Sequence, residues 1–467
     1  FALEAWLERQ WVAARRADRV GSRSLLDASR ARELWLDIIQ RERLATGDYS
    51  LLQPAAAADL AARARDQLLR WQVDVASTAV RSRCTRDPDC ATYLTWAQAF
   101  DLRLDKAGLA TRSDAINELH AVEDSLHWPA VALVDFDDVP PLYRATLLRH
   151  AVEVRDVHAA GTPIAGECRA YADKALELEA AAQWAARQHR ERPEHKAAVV
   201  LADMSGDRPE FEYRLRRAFD CLGENYNSLP VNFSSGITLD RAPVVRDALR
   251  MLRTAGASVG LVDIVALLQS RFSGHAEGAT DLGVKFLKTL FDDGREQVDT
   301  GRMRHLARTV ALEDQEGLAL GECLYAMQAM RLGRVRQAPS DWIDPICDIL
   351  DLWGWPGPGT LDSLEYQQVD LWHATLEVFA SYDQVCPAMD LGTALQCLTR
   401  CCQGQISQPQ TDDSNLQVLG PLEAAGLQFD QLWLCGFQGS RWPQAPRPNP
   451  FIPVDLQNHY NMPHANA

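Results

Sequence analysis

Three neighbouring carboxylates raise the question of chemistry first. Val131 to Asp138 reads VALVDFDD, a buried strand that ends in the acidic residues Asp135, Asp137 and Asp138. Nucleotide-hydrolysing motors hold Mg²⁺ and orient water with carboxylates of this kind. A strand that simply ends in a solvated acidic turn has the same pattern, so the decision rests on whether the rest of a nucleotide site is present. No GxxxxGK(S/T) phosphate loop occurs in the chain, and the Gly-rich pieces Gly256 to Gly260 and Gly274 to Gly278 carry no Lys and follow no strand. A nucleophile elbow, an HExxH, a strand-borne GxGxxG and a strand Asp followed by acid-x-Lys are absent as well. We therefore assign no catalytic residue and no metal ligand, and read the acidic turn as structural.

The other reactive side chains lead to the same place. Cys84 and Cys90 stand apart from the cluster Cys397, Cys401 and Cys402, and neither group forms a CxxC pair. The 11 cysteines read as reduced, buried thiols of a cytoplasmic protein, neither a disulfide framework nor a zinc site. The most basic short run is Arg331, Arg334 and Arg336, and Arg441 beside Trp442 joins a cation to an aromatic ring. These five residues are candidate DNA contacts, since Arg matches phosphate and an aromatic ring stacks on bases.

The elements that must position such residues centre on Asn415 to Phe437, NLQVLGPLEAAGLQFDQLWLCGF. Leu416 to Leu419 and Gln431 to Phe437 are apolar runs of strand length with a Gly/Pro-punctuated turn between them. They fit buried, neighbouring parallel strands of an α/β sheet better than a surface hairpin. Ala197 to Asp203, AAVVLAD, reads as a further buried strand. Upstream, Leu3, Trp6, Leu7 and Trp11, then Tyr93, Trp96, Phe100 and Leu104, recur at helical spacing. From about Pro243 to Gln403 the pattern is helical, with Trp353 to Gly359 as a rigid loop that reads as packed between helices.

Gly426, Leu427, Gln428, Phe429 and Asp430, followed by a strand ending at Gly436, resemble a late motif of UvrD-like superfamily 1 helicases. In active members a Lys precedes the Gly and a Glu that serves the nucleotide follows the Leu; here Ala425 and Gln428 stand there. The segments Arg441-Trp442-Pro443 and Arg447 to Pro453 narrow the resemblance. It is to the degenerate-helicase subunit of AddB-type helicase–nucleases and to related DNA-repair proteins with a C-terminal PD-(D/E)XK nuclease. Val139 to Tyr143 is similar to the tail of the helicase DEFQD-type box, with Asp135 at its Glu position and Val134 where the Mg²⁺-binding Asp belongs. Leu25-Leu26 and Leu34-Trp35, and Val231 to Pro243, also match segments of the family.

The resemblance implies an α/β fold: parts of two RecA-like parallel sheets with large helical insertions. It divides the chain into a helical insertion (1–125), the end of a first motor-like domain (126–192), the start of a second (193–242), a second insertion (243–403) and a return (404–467). It also implies a piece of a longer protein, an ATPase-inactive scaffold that holds single-stranded DNA or DNA ends beside a partner helicase subunit. ATP and Mg²⁺ enter only in the alternative of an active helicase whose phosphate loop lies upstream; no other cofactor is expected. A protein-binding scaffold is the third reading, because a net charge of -16 opposes attraction of nucleic acid to the whole surface. Lysine occurs only at 106, 174, 196, 285 and 288, so any phosphate contact falls to Arg. No apolar run reaches the roughly 18–20 residues of a membrane span.

Overall fold

A computed structural model describes residues 2–46, 51–136, 138–158, 166–223, 228–256, 258–276, 280–314, 319–408, 414–442 and 445–465. The protein is mixed α/β, mostly helical, with a few small sheets. It divides into two compact units, Phe1–Ser234 with Thr411–Ala467, and Ser235–Gln410.

The first unit opens with α1 (Leu3–Arg16), β1 (Ser24–Leu25), α2 (Ala28–Thr46), α3 (Pro54–Arg70), α4 (Thr78–Cys84), α5 (Pro88–Ala107), β2 (Leu109–Ala110) and α6 (Arg112–Ala121). Local chemistry explains α5 well. Asp87 accepts hydrogen bonds from the amides of Asp89 and Cys90, Pro88 fills the first turn, and Gly108 closes the helix in the left-handed region at φ 62°. Tyr93, Trp96, Phe100 and Leu104 all face inward, and Trp35 of α2 stacks on Phe100 at 4.3 Å. At the start of α6, Thr111 and Asp114 form a capping box.

Strands β3 (Val131–Val134) and β4 (Val154–Val157) pair in parallel through α7 (Pro141–His150), with Val131 opposite Val154. The sequence suggested a buried strand here, yet only Leu133 is buried and Val134 is 56% exposed. The ladder has two strands and covers the Leu7, Trp11, Leu119 and Leu142 core with one face only.

α8 (Lys174–Glu191), β5 (Ala197–Leu201), α9 (Met204–Ala218) and β6 (Asn232–Phe233) follow. The second unit then runs through β7 (Ile237–Thr238), α10 (Pro243–Arg253), β8 (Val259–Gly260), α11 (Leu261–Leu268), α12 (Asp281–Asp292) and β9 (Gln297–Val298). It continues with α13 (Thr300–Asp314), α14 (Ala319–Ala329), α15 (Ile343–Leu352), α16 (Ser363–Ala380), α17 (Leu391–Gln403) and β10 (Ile406–Ser407). Its core gathers on α10, whose Val244, Ala248, Met251 and Leu252 are buried against α11, α15, α16 and α17. The Trp353 loop is packed, as its composition suggested. Trp353 is buried and donates from Nε1 to Thr254 Oγ1 at 3.1 Å, and Trp355 donates to the Val244 carbonyl at 2.9 Å.

The chain re-enters the first unit with β11 (Leu416–Leu419), α18 (Pro421–Ala424), β12 (Gln431–Cys435) and α19 (Val454–His459). The result is a four-stranded, all-parallel sheet in the order β12-β5-β11-β6. The two strands of the Asn415 to Phe437 stretch are therefore not neighbours: β5 lies between them, with Ala197 opposite both Leu416 and Gln431. One face is buried under α8 and α9, where Ala181, Ala182 and Ala185 let α8 lie close to Val199, Leu201 and Val418. The other face carries a small cluster of Ala198, Val200 and Leu419 under Phe429 and Phe437. As the edge strand, β12 leaves Leu432 and Leu434 half exposed, unlike the buried strand the sequence suggested. Among the described residues no helix is long and apolar enough to cross a membrane.

Candidate functional site

Open parallel sheets hold ligands in the crevice beyond the carboxyl ends of their strands. At that edge β5 runs through Ala202 into Asp203, which caps α9: its Oδ1 accepts from the Gly206 amide at 2.9 Å and from Ser205 Oγ at 3.0 Å. A Cβ at Gly206 would fall 2.5 Å from Asp203 Oδ2 and push the capping carboxylate aside. The Gly206 amide holds the Asp203 carboxyl below the usual carboxylate range, with help from the Ser205 hydroxyl and the charges of Lys174 and Arg441. A helix N-terminus facing such a crevice is a ready seat for phosphate. In this protein its own carboxylate occupies the seat.

Lys174, Glu177 and Arg208 are matched in the same way. Lys174, at the start of α8, pairs with the buried Asp207 in the first turn of α9. Glu177 Oε1 accepts from the Gly436 amide at 2.8 Å, where Gly436 turns the chain out of β12 at φ 78°. The Arg208 guanidinium lies 4.6 Å from the Phe233 ring centre and 3.9 Å from Glu212. Arg441 and Trp442 are exposed just past β12, and the Trp442 ring sits 5.1 Å from Phe437.

The sequence-selected residues fall in separate places. Gly426 to Asp430 lead into the amino end of β12. Asp430 accepts from the Lys196 amide at 2.9 Å through Oδ2 and donates its own amide to the Lys196 carbonyl at 2.8 Å. Phe429 packs on the sheet, while Leu427 and Gln428 are exposed. Asp430 is thus a clamp between β12 and β5, at the end opposite to Arg441 and Trp442. Asp135 and Asp138 stand exposed beyond β3; Asp135 adopts φ 53° and donates its amide to the Val157 carbonyl at 2.9 Å, extending the ladder. Asp137 and Pro443 lie outside the described residues. Arg331, Arg334 and Arg336 are exposed in the second unit after α14, and Arg336 donates to the Ala388 carbonyl at 3.0 Å and lies 3.8 Å from Asp390. Cys84, Cys90, Cys397, Cys401 and Cys402 are buried, and burial pushes the Cys90 thiol up to about 12, where it is inert as a nucleophile.

Sequence reasoning passed over Lys174, Glu177, Asp203 and Asp207. The Asp203-x-x-Gly206 pattern directly after an apolar strand was a visible cap signal, whereas nothing local marks Lys174 as the partner of Asp207. Asp203→Ala should cost about 0.5–2 kcal/mol, the range for loss of an N-cap. The sign with pH follows from the depressed carboxyl. The cap contributes fully above the unfolded carboxylate value of about 3.9 and is lost as pH falls through the lower native value. Urea unfolding of the two proteins should differ at neutral pH and converge in strong acid; an equal gap at both pH values would rule out the carboxylate cap.

No protein-family model matches the chain, and no curated protein matches it.

Proposed function

We propose that this chain is a non-hydrolysing scaffold of the superfamily 1 helicase type, part of a bacterial double-strand-break repair helicase–nuclease, holding single-stranded DNA for a nuclease domain. The observation that carries the non-hydrolytic half is the internal neutralisation of the sheet's carboxyl edge. Asp203 fills the α9 N-terminus and Lys174 is committed to Asp207, so neither that helix end nor that lysine is left for a nucleotide phosphate. Ala425 and Gln428 in the Gly426 to Asp430 motif agree with this, as does Val134 ahead of Asp135. For the DNA half, exposed Trp442 beside Arg441 offers a stacking surface and a phosphate donor in one turn.

The test is fluorescence anisotropy with a 5′-hydroxyl oligothymidine across a salt series, with and without ATP. Binding should weaken with salt and ignore ATP, and Trp442→Ala should lose about 1–3 kcal/mol, the effect of one stacked base. ATP-sensitive binding would restore the active-helicase reading. Absence of binding at low salt would favour a second reading, a scaffold that steadies a partner protein, for which the half-exposed Leu432 and Leu434 on the edge strand are the supporting observation.

A further inference from the structure

In the helical part of the first unit, a pocket of about 510 Å³ opens between the β1–α2 corner, α3 and the start of α6. That volume falls within the roughly 300–1,000 Å³ of small-molecule sites. Its floor is apolar, formed by Leu26, Ala31 and Ala62 and by the Trp35–Phe100 stack. Five arginines line it, Arg30, Arg63, Arg65, Arg70 and Arg112, against three acids, Glu8, Asp27 and Asp66.

The arginines are not equivalent. Arg65 is held by Asp101 at 2.8 Å and Asp114 at 2.7 Å, and Arg70 by Glu4 at 2.9 Å and Asp66 at 2.8 Å. Arg112 gives Nε to Glu8 and Nη1 to Glu4, both at 3.0 Å, which leaves Nη2 unused among the described residues. Arg63 donates only Nε, to the Asp59 carbonyl at 3.2 Å, so both of its Nη groups lack a partner among the described residues. The pocket thus combines cations fixed by carboxylates with one uncommitted guanidinium at an apolar floor.

We infer that this pocket binds a phosphomonoester carrying an apolar or aromatic body, with the phosphate on Arg63 and the open side of Arg112. A phosphomonoester offers three acceptor oxygens and a charge of about −1.5 to −2 at neutral pH, enough to bridge two guanidinium groups while Arg112 keeps its carboxylate partners. A carboxylate, with a single charge and two oxygens, gives two guanidinium groups less than a phosphate does. The apolar floor takes the body. A free mononucleotide and the 5′-phosphate of a DNA strand share this chemistry, and the inference does not depend on single-stranded DNA binding at Trp442.

The test uses the whole chain and calorimetric titration with thymidine 5′-monophosphate, thymidine and inorganic phosphate. The nucleotide should bind saturably at one site, and each half-ligand about tenfold more weakly or worse, as expected when one charge-assisted contact or the apolar body is lost. Arg63→Gln, an exposed substitution that leaves the helix ladder intact, should weaken the nucleotide by a similar factor. If the strand end is the source, a 5′-phosphorylated oligothymidine should outbind its 5′-hydroxyl counterpart, and Arg63→Gln should abolish the difference. Nucleotide binding unchanged by Arg63→Gln would overturn the inference. So would no binding at millimolar nucleotide together with equal binding of the two oligonucleotides.

Discussion

Phe451→Ala is expected to lower the stability of the first unit by about 3–5 kcal/mol, the range for removing a buried aromatic ring. The ring is 8% exposed, stacks on Tyr93 at 5.8 Å and meets the edge of Trp96 at 5.5 Å, both from α5. The backbone around it is pinned independently. Asn449 Nδ2 donates to the Leu60 carbonyl of α3 at 3.0 Å, and buried Gln457 donates to the Asn449 and Ile452 carbonyls at 2.8 and 2.7 Å. Because those bonds keep the loop in place, the gap left by Ala cannot collapse fully, and the cavity cost stays high. Urea unfolding reports the size of the loss. Amide exchange should rise first along α5, where Tyr93 and Trp96 lose their partner. A loss below about 0.5 kcal/mol, within the range of an ordinary surface change, would mean that the ring is not seated between Tyr93 and Trp96.

The second large effect is expected from Lys174→Met, at about 3 kcal/mol, the lower end for breaking a buried ion pair because Lys174 is itself partly in water. Its partner Asp207 is 2% exposed, so loss of the ammonium strands a carboxylate where water cannot replace it. The double change Lys174→Met, Asp207→Leu should recover much of the loss, because an apolar pair of similar size carries no desolvation cost. A double-mutant cycle separates the pair from its surroundings. Additive losses would show that Lys174 and Asp207 act independently, and would weaken the picture of a carboxyl edge neutralised from within.

Much of the architecture was legible where the controlling forces act within one or two turns of chain. Asp87 and Pro88 mark the start of α5, Gly108 its end, and the Tyr93, Trp96, Phe100 and Leu104 spacing its buried face. Ala197 to Leu201 reads as a buried strand and is one, since all five residues are buried. Burial was misjudged for Val131 to Val134 and for Gln431 to Cys435. An apolar strand looks the same in sequence whether it has neighbours on both sides or stands at an edge, and strand number and order belong to the assembled sheet. The candidate site divided in the same manner. The Asp203 to Gly206 cap is local, whereas Glu177 meets Gly436 across 259 residues of sequence.

By itself, the sequence determined the long helices such as α5, the strands β5, β11 and β12, and the restriction of positive charge almost entirely to Arg. Periodicity, capping and side-chain chemistry are properties of a few consecutive residues. Only the tertiary structure decided that β5 separates β11 from β12, that Asp430 clamps two strands, that Asp203 and Lys174 are already satisfied, and that among the described residues Arg63 is not. Whether a charge is spent or available depends on which distant carboxylate the fold brings to within about 4 Å of it, and no local pattern encodes that distance.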